Sequence, residues 1–178
     1  MEEFEELVIN LDNDVDDIEV ITKTVLSFLH KQRTIGYYAL FIPSRYTNDW
    51  NIAGFAHSTL EAKDIIDELM FKVEETGMRI CSFVASSQTI VSGTNEEVCK
   101  QTDEKFAFLE GYRVIFVPQQ SDDPLCVIAM VVDETTKSFH PSVGQFFTEC
   151  ANIVGKRLER LREKLARKDD GGDFEVGV

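Results

Sequence analysis

Four cysteines and three histidines are the side chains of this sequence best suited to covalent or metal chemistry. Cys81, Cys99, Cys126 and Cys150 lie 18, 27 and 24 residues apart. No two have the CxxC spacing that sets a pair of thiols on one metal ion or in one redox turn. Two of the four stand in apolar runs, where an unpaired Cys behaves as a small core residue, so reduced structural thiols are expected. His30, His57 and His140 are each isolated from the cysteines, and a metal site would require folding to gather them; ordinary surface or pocket histidines are expected instead. His57 is the exception. It ends an apolar strand beside "GFA", from where an imidazole pointing into a cavity would act as a hydrogen-bond donor or haem ligand. The sequence contains no Gly-rich phosphate loop, G-x-S-x-G, H-E-x-x-H or paired-carboxylate motif, so no enzymatic chemistry is expected and no cofactor is named.

The totals narrow the partners. At 178 residues, with 43% hydrophobic and 28% charged residues, the chain is long enough for one sizeable core and has the composition of a soluble globular protein. A net charge of −14 repels nucleic acid at long range, which leaves a protein or a small molecule as partner. No apolar run has the length of a membrane span, and the opening MEEFEE is acidic where a secretory signal would be basic. A cytoplasmic protein is expected.

Periodicity supplies the elements. From Asp14, placed as a cap, Val15, Ile18, Ile21, Val25 and Leu29 recur at threes and fours and predict an amphipathic helix. Strands follow over Tyr37–Ile42 and Asn51–His57, with Pro43 and "SRYTND" as their turn. Ser58-x-x-Glu61 is a capping box for a helix that Gly77 is expected to stop; "RICSFV" then reads as a short strand, and "SSQTIV" as its continuation before Gly93. Thr94-x-x-Glu97 opens another helix, expected to reach Gly111 with Phe106 and Leu109 inward. "VIFVPQQSDDPLCVIAMVVDE" holds two apolar strands about a Ser/Asp/Pro turn. A long helix starts at Pro141 and runs to about Lys168.

That last helix carries two apolar stripes. Phe146, Cys150, Ile153 and the stem of Arg157 form one, expected against the sheet; Phe147, Ala151, Val154, Leu158, Leu161 and Leu165 form another with four-three spacing, expected as a homodimer seam. The first twenty residues hold nine acidic groups and no basic one, whereas Lys156–Lys168 holds seven basic groups against Glu159 and Glu163. Opposite charge at the two ends would clamp the terminal helices within one chain or across a dimer, or simply solvate two helix faces. Residues 1–13 are expected to be an acidic extension, 14–168 the domain and 169–178 a Gly-rich tail. The abrupt Gly-rich end after the long helix fits a chain cut from a longer signalling protein.

The order helix, hairpin, helix, strand, variable segment, hairpin, helix resembles that of GAF sensor domains. "FKVEETGMRICSF" resembles the family's passage from a helix through "ETG" into the third strand, "YRVIFVPQQSDDPLCVIAMVVDE" its last hairpin, and "FHPSVGQFFTECANIVGKRLERL" its closing helix. The resemblance covers roughly residues 14–168 as a pattern of apolar positions. It implies an α+β, profilin-like fold: a central antiparallel sheet with the first and last helices on one face and a ligand cavity on the other, beneath the variable segment. It implies a sensory or regulatory role that names no ligand.

In such a fold Phe55, Phe83, Phe106, Phe108, Tyr112 and Phe116 would surround the ligand, with His57, Ser86, Ser87 and Gln88 as polar groups to orient it. The same aromatics would equally serve as core and fill the cavity of a ligand-free protein-interaction scaffold. The family also includes free methionine-R-sulfoxide reductases, and Cys81 and Cys99 flank the corresponding segment, but the Gly-rich context of the reactive cysteine is missing here. No Cys-His pair of the bilin-binding members and no signature of the cyclic-nucleotide-binding members is visible.

Overall fold

Helices and hairpins alternate through the computed structural model in the order α1 (Glu2–Asn13), α2 (Ile18–Gln32), β1 (Tyr37–Pro43), β2 (Trp50–His57), α3 (Lys63–Ser87), β3 (Val91–Thr94), α4 (Asn95–Thr102), β4 (Tyr112–Pro118), β5 (Val127–Asp133) and α5 (Pro141–Lys168). The structure describes residues 2–32, 36–44, 47, 49–57, 63–105, 109–135 and 139–168. The five strands form one antiparallel sheet in the order β2-β1-β5-β4-β3. Both of its faces are covered, which is why β1, β4 and β5 are nearly continuous apolar runs rather than alternating ones. Tyr38, Leu40, Ile42, Ile115, Val117, Ile128, Met130 and Val132 face α1, α2 and α5. Their neighbours Tyr37, Ala39, Phe41, Val114, Phe116, Val127, Ala129 and Val131 face α3 and α4.

The fold is thus the expected α+β arrangement, and five details differ. Residues 2–13 are a helix of the core and not an extension: Phe4, Leu7 and Leu11, at three-four spacing, bury one face of an otherwise acidic segment. In α2 the starting cap is Asp17, whose Oδ1 accepts the Glu19 N–H at 2.8 Å; Asp14 instead accepts the Thr24 hydroxyl at 2.6 Å, and Val15 is exposed. Helix α4 opens on the expected Thr94/Glu97 capping box but ends at Asp103, which takes a left-handed conformation with φ +58°. The Ser58/Glu61 box and Phe106 lie outside the described residues.

The largest difference is α3, which does not stop at Gly77. It continues through "RICSFV", expected as a strand, so that Ile80, Cys81, Val84 and Ala85 extend its buried face, and the third strand begins only at Val91. Gly77 has ordinary helical backbone, and its role is close approach: a Cβ there would overlap the Phe41 ring of β1. The missing side chain lets a helix of 25 residues lie directly on the sheet.

Helix α5 has the expected range, but its four-three stripe does not form a dimer seam. Phe147, Ala151, Val154, Leu158 and Leu161 are buried within one chain, in the core shared with α1, α2 and the sheet, and Leu165 packs at its edge. Burying a side chain of this size stabilises by about 1.5–3 kcal/mol, so exposing the stripe to pair with a second chain would open the core. Arg157, only 3% exposed, locks this packing. Its Nε donates to the Leu11 carbonyl at 2.8 Å, and its Nη2 donates to the Asp14 carbonyl at 3.1 Å and to Asp16 Oδ1 at 2.9 Å. Arg160 pairs with Asp12 and Lys164 with Asp16. The opposite charges of the two ends therefore meet inside one chain.

Two outcomes follow from these contacts. Gly77→Ala should destabilise by about 1–3 kcal/mol in urea unfolding despite alanine's better helix propensity, because overpacking against Phe41 outweighs it; Phe41→Leu in the same chain should recover part of the loss. The Arg157 hydrogen bond, the largest cause, and Lys164 beside it hold the Asp16 carboxyl below its usual range. A lowered folded-state pKa stabilises above the ordinary carboxylate range and is lost as pH falls through the lowered value. Wild type should therefore exceed Asp16→Asn by about 1 kcal/mol at neutral pH, and the margin should close in acid unfolding titrations.

Candidate functional site

The sheet face beneath α3 is where the ring and imidazole side chains collect, and β1 sets their register. Tyr37 pairs with His57 on one side and Val131 on the other, Ala39 with Phe55 and Ala129, and Val114 and Phe116 complete the two rows on β4. At the His57 end Tyr37 is buried, with its ring 5.8 Å from Phe55 in a stacked arrangement and 6.4 Å from His57. Phe55, His57 and Tyr112 are half-buried. Tyr112, one step beyond Val114 on the same face, packs at the edge of the same cluster. The geometry is that of a small aromatic wall with an imidazole at its rim, suited to stacking on a planar group and to one hydrogen bond.

The other expected ligand contacts lie elsewhere. Phe116 is fully buried beneath α3, 5.8 Å from the Phe41 ring, and acts as core. Phe83 is half-buried against the same cluster. Ser86 and Gln88 are exposed at the end of α3, beside the β4–β5 turn: the Gln88 side chain donates to the Gln119 carbonyl at 3.0 Å and accepts from the Ser121 N–H at 3.0 Å. They help line an open cleft of about 480 Å³ together with Trp50, Thr47 and Asp122. The expected constellation is therefore divided between the two ends of the sheet, because α3 runs on past Gly77 and seals the middle. Tyr37, which links Phe55 to His57, was not singled out in the sequence; its signal was its parity with Ala39 and Phe41 along β1.

The thiols are dispersed, and none is disulfide-bonded. Cys81 is fully buried in α3, and loss of water pushes its pKa far above that of an exposed thiol. Burial pushes Cys150 up to about 12. It raises Cys126 as well, with Cys150 and Glu159 adding to the rise; the Cys126 thiol donates to the Ala151 carbonyl at 3.3 Å. Cys99 is half-buried on α4, at an open cleft of about 710 Å³ that also carries Glu96, Glu104, Glu110 and Glu134. His30 and His140 are exposed, and among the described residues no three of His, Cys, Asp or Glu gather as a metal ion would require. No helix among them is long and apolar enough to cross a membrane.

A maleimide added to the native protein should therefore modify Cys99 alone, with Cys81, Cys126 and Cys150 reacting only after unfolding. Peptide mapping of the labelled sites reads this directly, and native labelling at Cys126 or Cys150 would contradict the packing of α5.

No family model matches the chain, and no curated protein is similar to it in sequence. Solved structures share its fold. The chain is similar to the GAF domain of a phosphoenolpyruvate-protein phosphotransferase from Coxiella burnetii with a TM-score of 0.65 at 12% identity, over 93% of this chain and 95% of that one. It is similar to the GAF domain of an Acinetobacter phosphoenolpyruvate-protein phosphotransferase with a TM-score of 0.64 at 11% identity, over 91% and 93%. A free methionine-R-sulfoxide reductase from Neisseria meningitidis, solved in complex with its substrate, is similar with a TM-score of 0.59 at 14% identity, over 90% and 88%. Identities this low speak for the fold alone. With its five antiparallel strands, α1, α2 and α5 on one face and α3 and α4 on the other, the chain has the fold of a GAF domain.

Proposed function

We propose that the chain is a GAF-type sensory or regulatory module that takes a small molecule at the His57 end of its sheet and passes the event to its terminal helices. The observation that carries this reading is the pair Tyr37 and Tyr38. Adjacent residues of a strand point to opposite faces. Tyr37 stacks on Phe55 beside His57, while the Tyr38 ring lies 6.4 Å from Phe147 of α5. Any ligand that displaces the Tyr37 ring strains the same stretch of backbone that seats α5. An aromatic wall with one imidazole favours a planar, partly apolar ligand with a hydrogen-bonding edge.

The module acts as a homodimer through the outer surfaces of α1 and α5. Val8 and Ile9 are exposed on α1, and Val8 shares an open groove with Ile153, Lys156 and Arg160 of α5. A two-fold-related copy would set the acidic flank of one α1 against the basic flank of the other copy's α5. Four cysteines without a disulfide fit a reducing, cytoplasmic setting.

A thiol-dependent reductase of free methionine sulfoxide, the activity named for one of the similar structures, is disfavoured by this chain's own residues. Three of the four thiols are buried in the core, out of reach of a substrate or a reductant. A GAF-shaped scaffold that binds proteins alone is the reading left if the aromatic end proves empty.

Native mass spectrometry of the purified protein, followed by denaturation of the same sample, tests the proposal. The expected species has twice the 20.2 kDa chain mass plus a small molecule that is released on denaturation. His57→Ala and Phe55→Leu should shed that molecule while retaining the dimer. An empty wild type that no planar ligand stabilises would transfer the reading to the scaffold, and turnover of methionine sulfoxide dependent on Cys99 would replace it with the reductase.

A further inference from the structure

Half of the eight large apolar side chains exposed among the described residues stand on α3: Ile65, Met70, Phe71 and Met78. This helix is no loose lid. Leu69, Val73, Ile80, Cys81 and Val84 bury its inner face, and Gly77 seats it on Phe41. Phe71 is 60% exposed and Met78 45%. Seven residues apart, they lie two turns from one another on the same outward line. The line runs Asp64, Asp67, Phe71, Glu74, Met78 at three-four-three-four spacing, with Glu75 beside it. Lys72 lies off this line and pairs with Glu68 at 3.4 Å. Lys63 and Arg79 stand near its two ends. The outer face of α3 is therefore an apolar pair within a mainly acidic frame on a rigid support, four carboxylates against two cations.

Charge decides what fits. A second copy of α3 laid antiparallel, with Phe71 on Met78, would oppose Glu74 to Glu75; laid parallel, it would oppose each carboxylate to itself. Anionic lipid and nucleic acid are repelled by the same groups and by the net charge of −14. A cationic helix satisfies both features, because its apolar stripe covers Phe71 and Met78 while its Lys and Arg side chains reach the carboxylates.

We propose that the outer face of α3 docks a basic amphipathic helix of another protein, with Phe71 and Met78 as anchors and Asp64, Asp67, Glu74 and Glu75 as the charged frame. Such a partner would rest on the helix that covers the middle of the sheet, on the opposite side of the molecule from α1 and α5.

The test uses the full chain and a fluorescent, synthetic lysine–leucine peptide of about five turns whose leucines repeat at threes and fours. A control peptide of the same composition has its leucines dispersed around the helix. Fluorescence anisotropy should show the amphipathic peptide binding at least about tenfold more tightly than the control, the share that two hot-spot anchors supply. Phe71→Ser with Met78→Ser should remove that preference, and Glu74→Gln with Glu75→Gln should weaken binding and flatten its salt dependence. Val15→Ser, an exposed position in the turn between α1 and α2, should leave it unchanged, and circular dichroism melts check that each variant is folded. Equal binding of the two peptides, or undiminished preference in the Phe71/Met78 variant, overturns the proposal. A halving of the light-scattering mass in that variant also overturns it, since the occupant would then be a second copy of the chain.

Discussion

The guanidinium of Arg157 is a permanent cation placed where the last helix crosses the turn between the first two, and almost none of it reaches water. Such a charge is tolerated only where its environment is polar and fixed. Here the environment consists of the Leu11 and Asp14 carbonyls and the Asp16 carboxylate. The Leu11 carbonyl lies in the last turn of α1, where helix carbonyls lack intrahelical donors. Three helices that share little sequence pattern are thereby held as one layer. The Asp12 and Asp16 pairs with Arg160 and Lys164 are more exposed and add less; what they contribute is direction, since they align an acidic α1 with a basic α5. The terminal charge asymmetry is thus first a folding device within the chain, and only its remainder is available to a partner.

That layer leaves the opposite face of the sheet to α3, and the small residues Ala39 and Ala129 at the middle of that face set the depth of the packing. Small side chains beneath a helix can either leave a cavity or let the helix descend. Gly77 permits the second, by removing the one Cβ that would hold α3 away from Phe41. The middle of the face is accordingly packed, and the aromatic and polar groups suited to a ligand are left at the two ends. Among the described residues, the groups suited to a ligand therefore stand at the rim of this face.

How much of this could be read from the sequence follows from what periodicity measures. The two hairpins, the capping box of α4 and the extent of α5 were legible because each rests on a local pattern: apolar runs, a Thr-x-x-Glu pair, a Pro followed by repeats of threes and fours. The fate of Gly77 was not, because a glycine that ends a helix and one that admits a ring look alike until the ring's position is known. The stripe Phe147–Leu161 shows the same limit in another form. Four-three spacing records that a helix face is covered but not by what, and here the cover is the chain's own core. Helix α1 was hidden because five acidic residues dominate its composition, although Phe4, Leu7 and Leu11 suffice to bury it. The chemical types at the candidate site were visible, but their division between two ends of the sheet depends on where α3 runs.

The β4–β5 turn gives that division a consequence. Gln119, buried where the two layers meet, donates to Glu159 of α5 at 3.2 Å and accepts from the Leu125 N–H at 2.8 Å; its amide lies over Gly155, where a Cβ would overlap it. The neighbouring Gln120 exchanges two hydrogen bonds with Asn152 of α5. From the other layer Gln88, just past α3, holds both the Gln119 carbonyl and the Ser121 N–H. One short turn thus connects the end of α3 to the middle of α5. At the far end of the sheet the adjacent Tyr37 and Tyr38 make a second connection between the same two layers. The two layers are therefore joined at both ends of the sheet, and packed interiors transmit strain instead of absorbing it. For the proposed module, a ligand at the aromatic rim or a partner at Phe71 and Met78 would act on a layer that these two connections already join to α5.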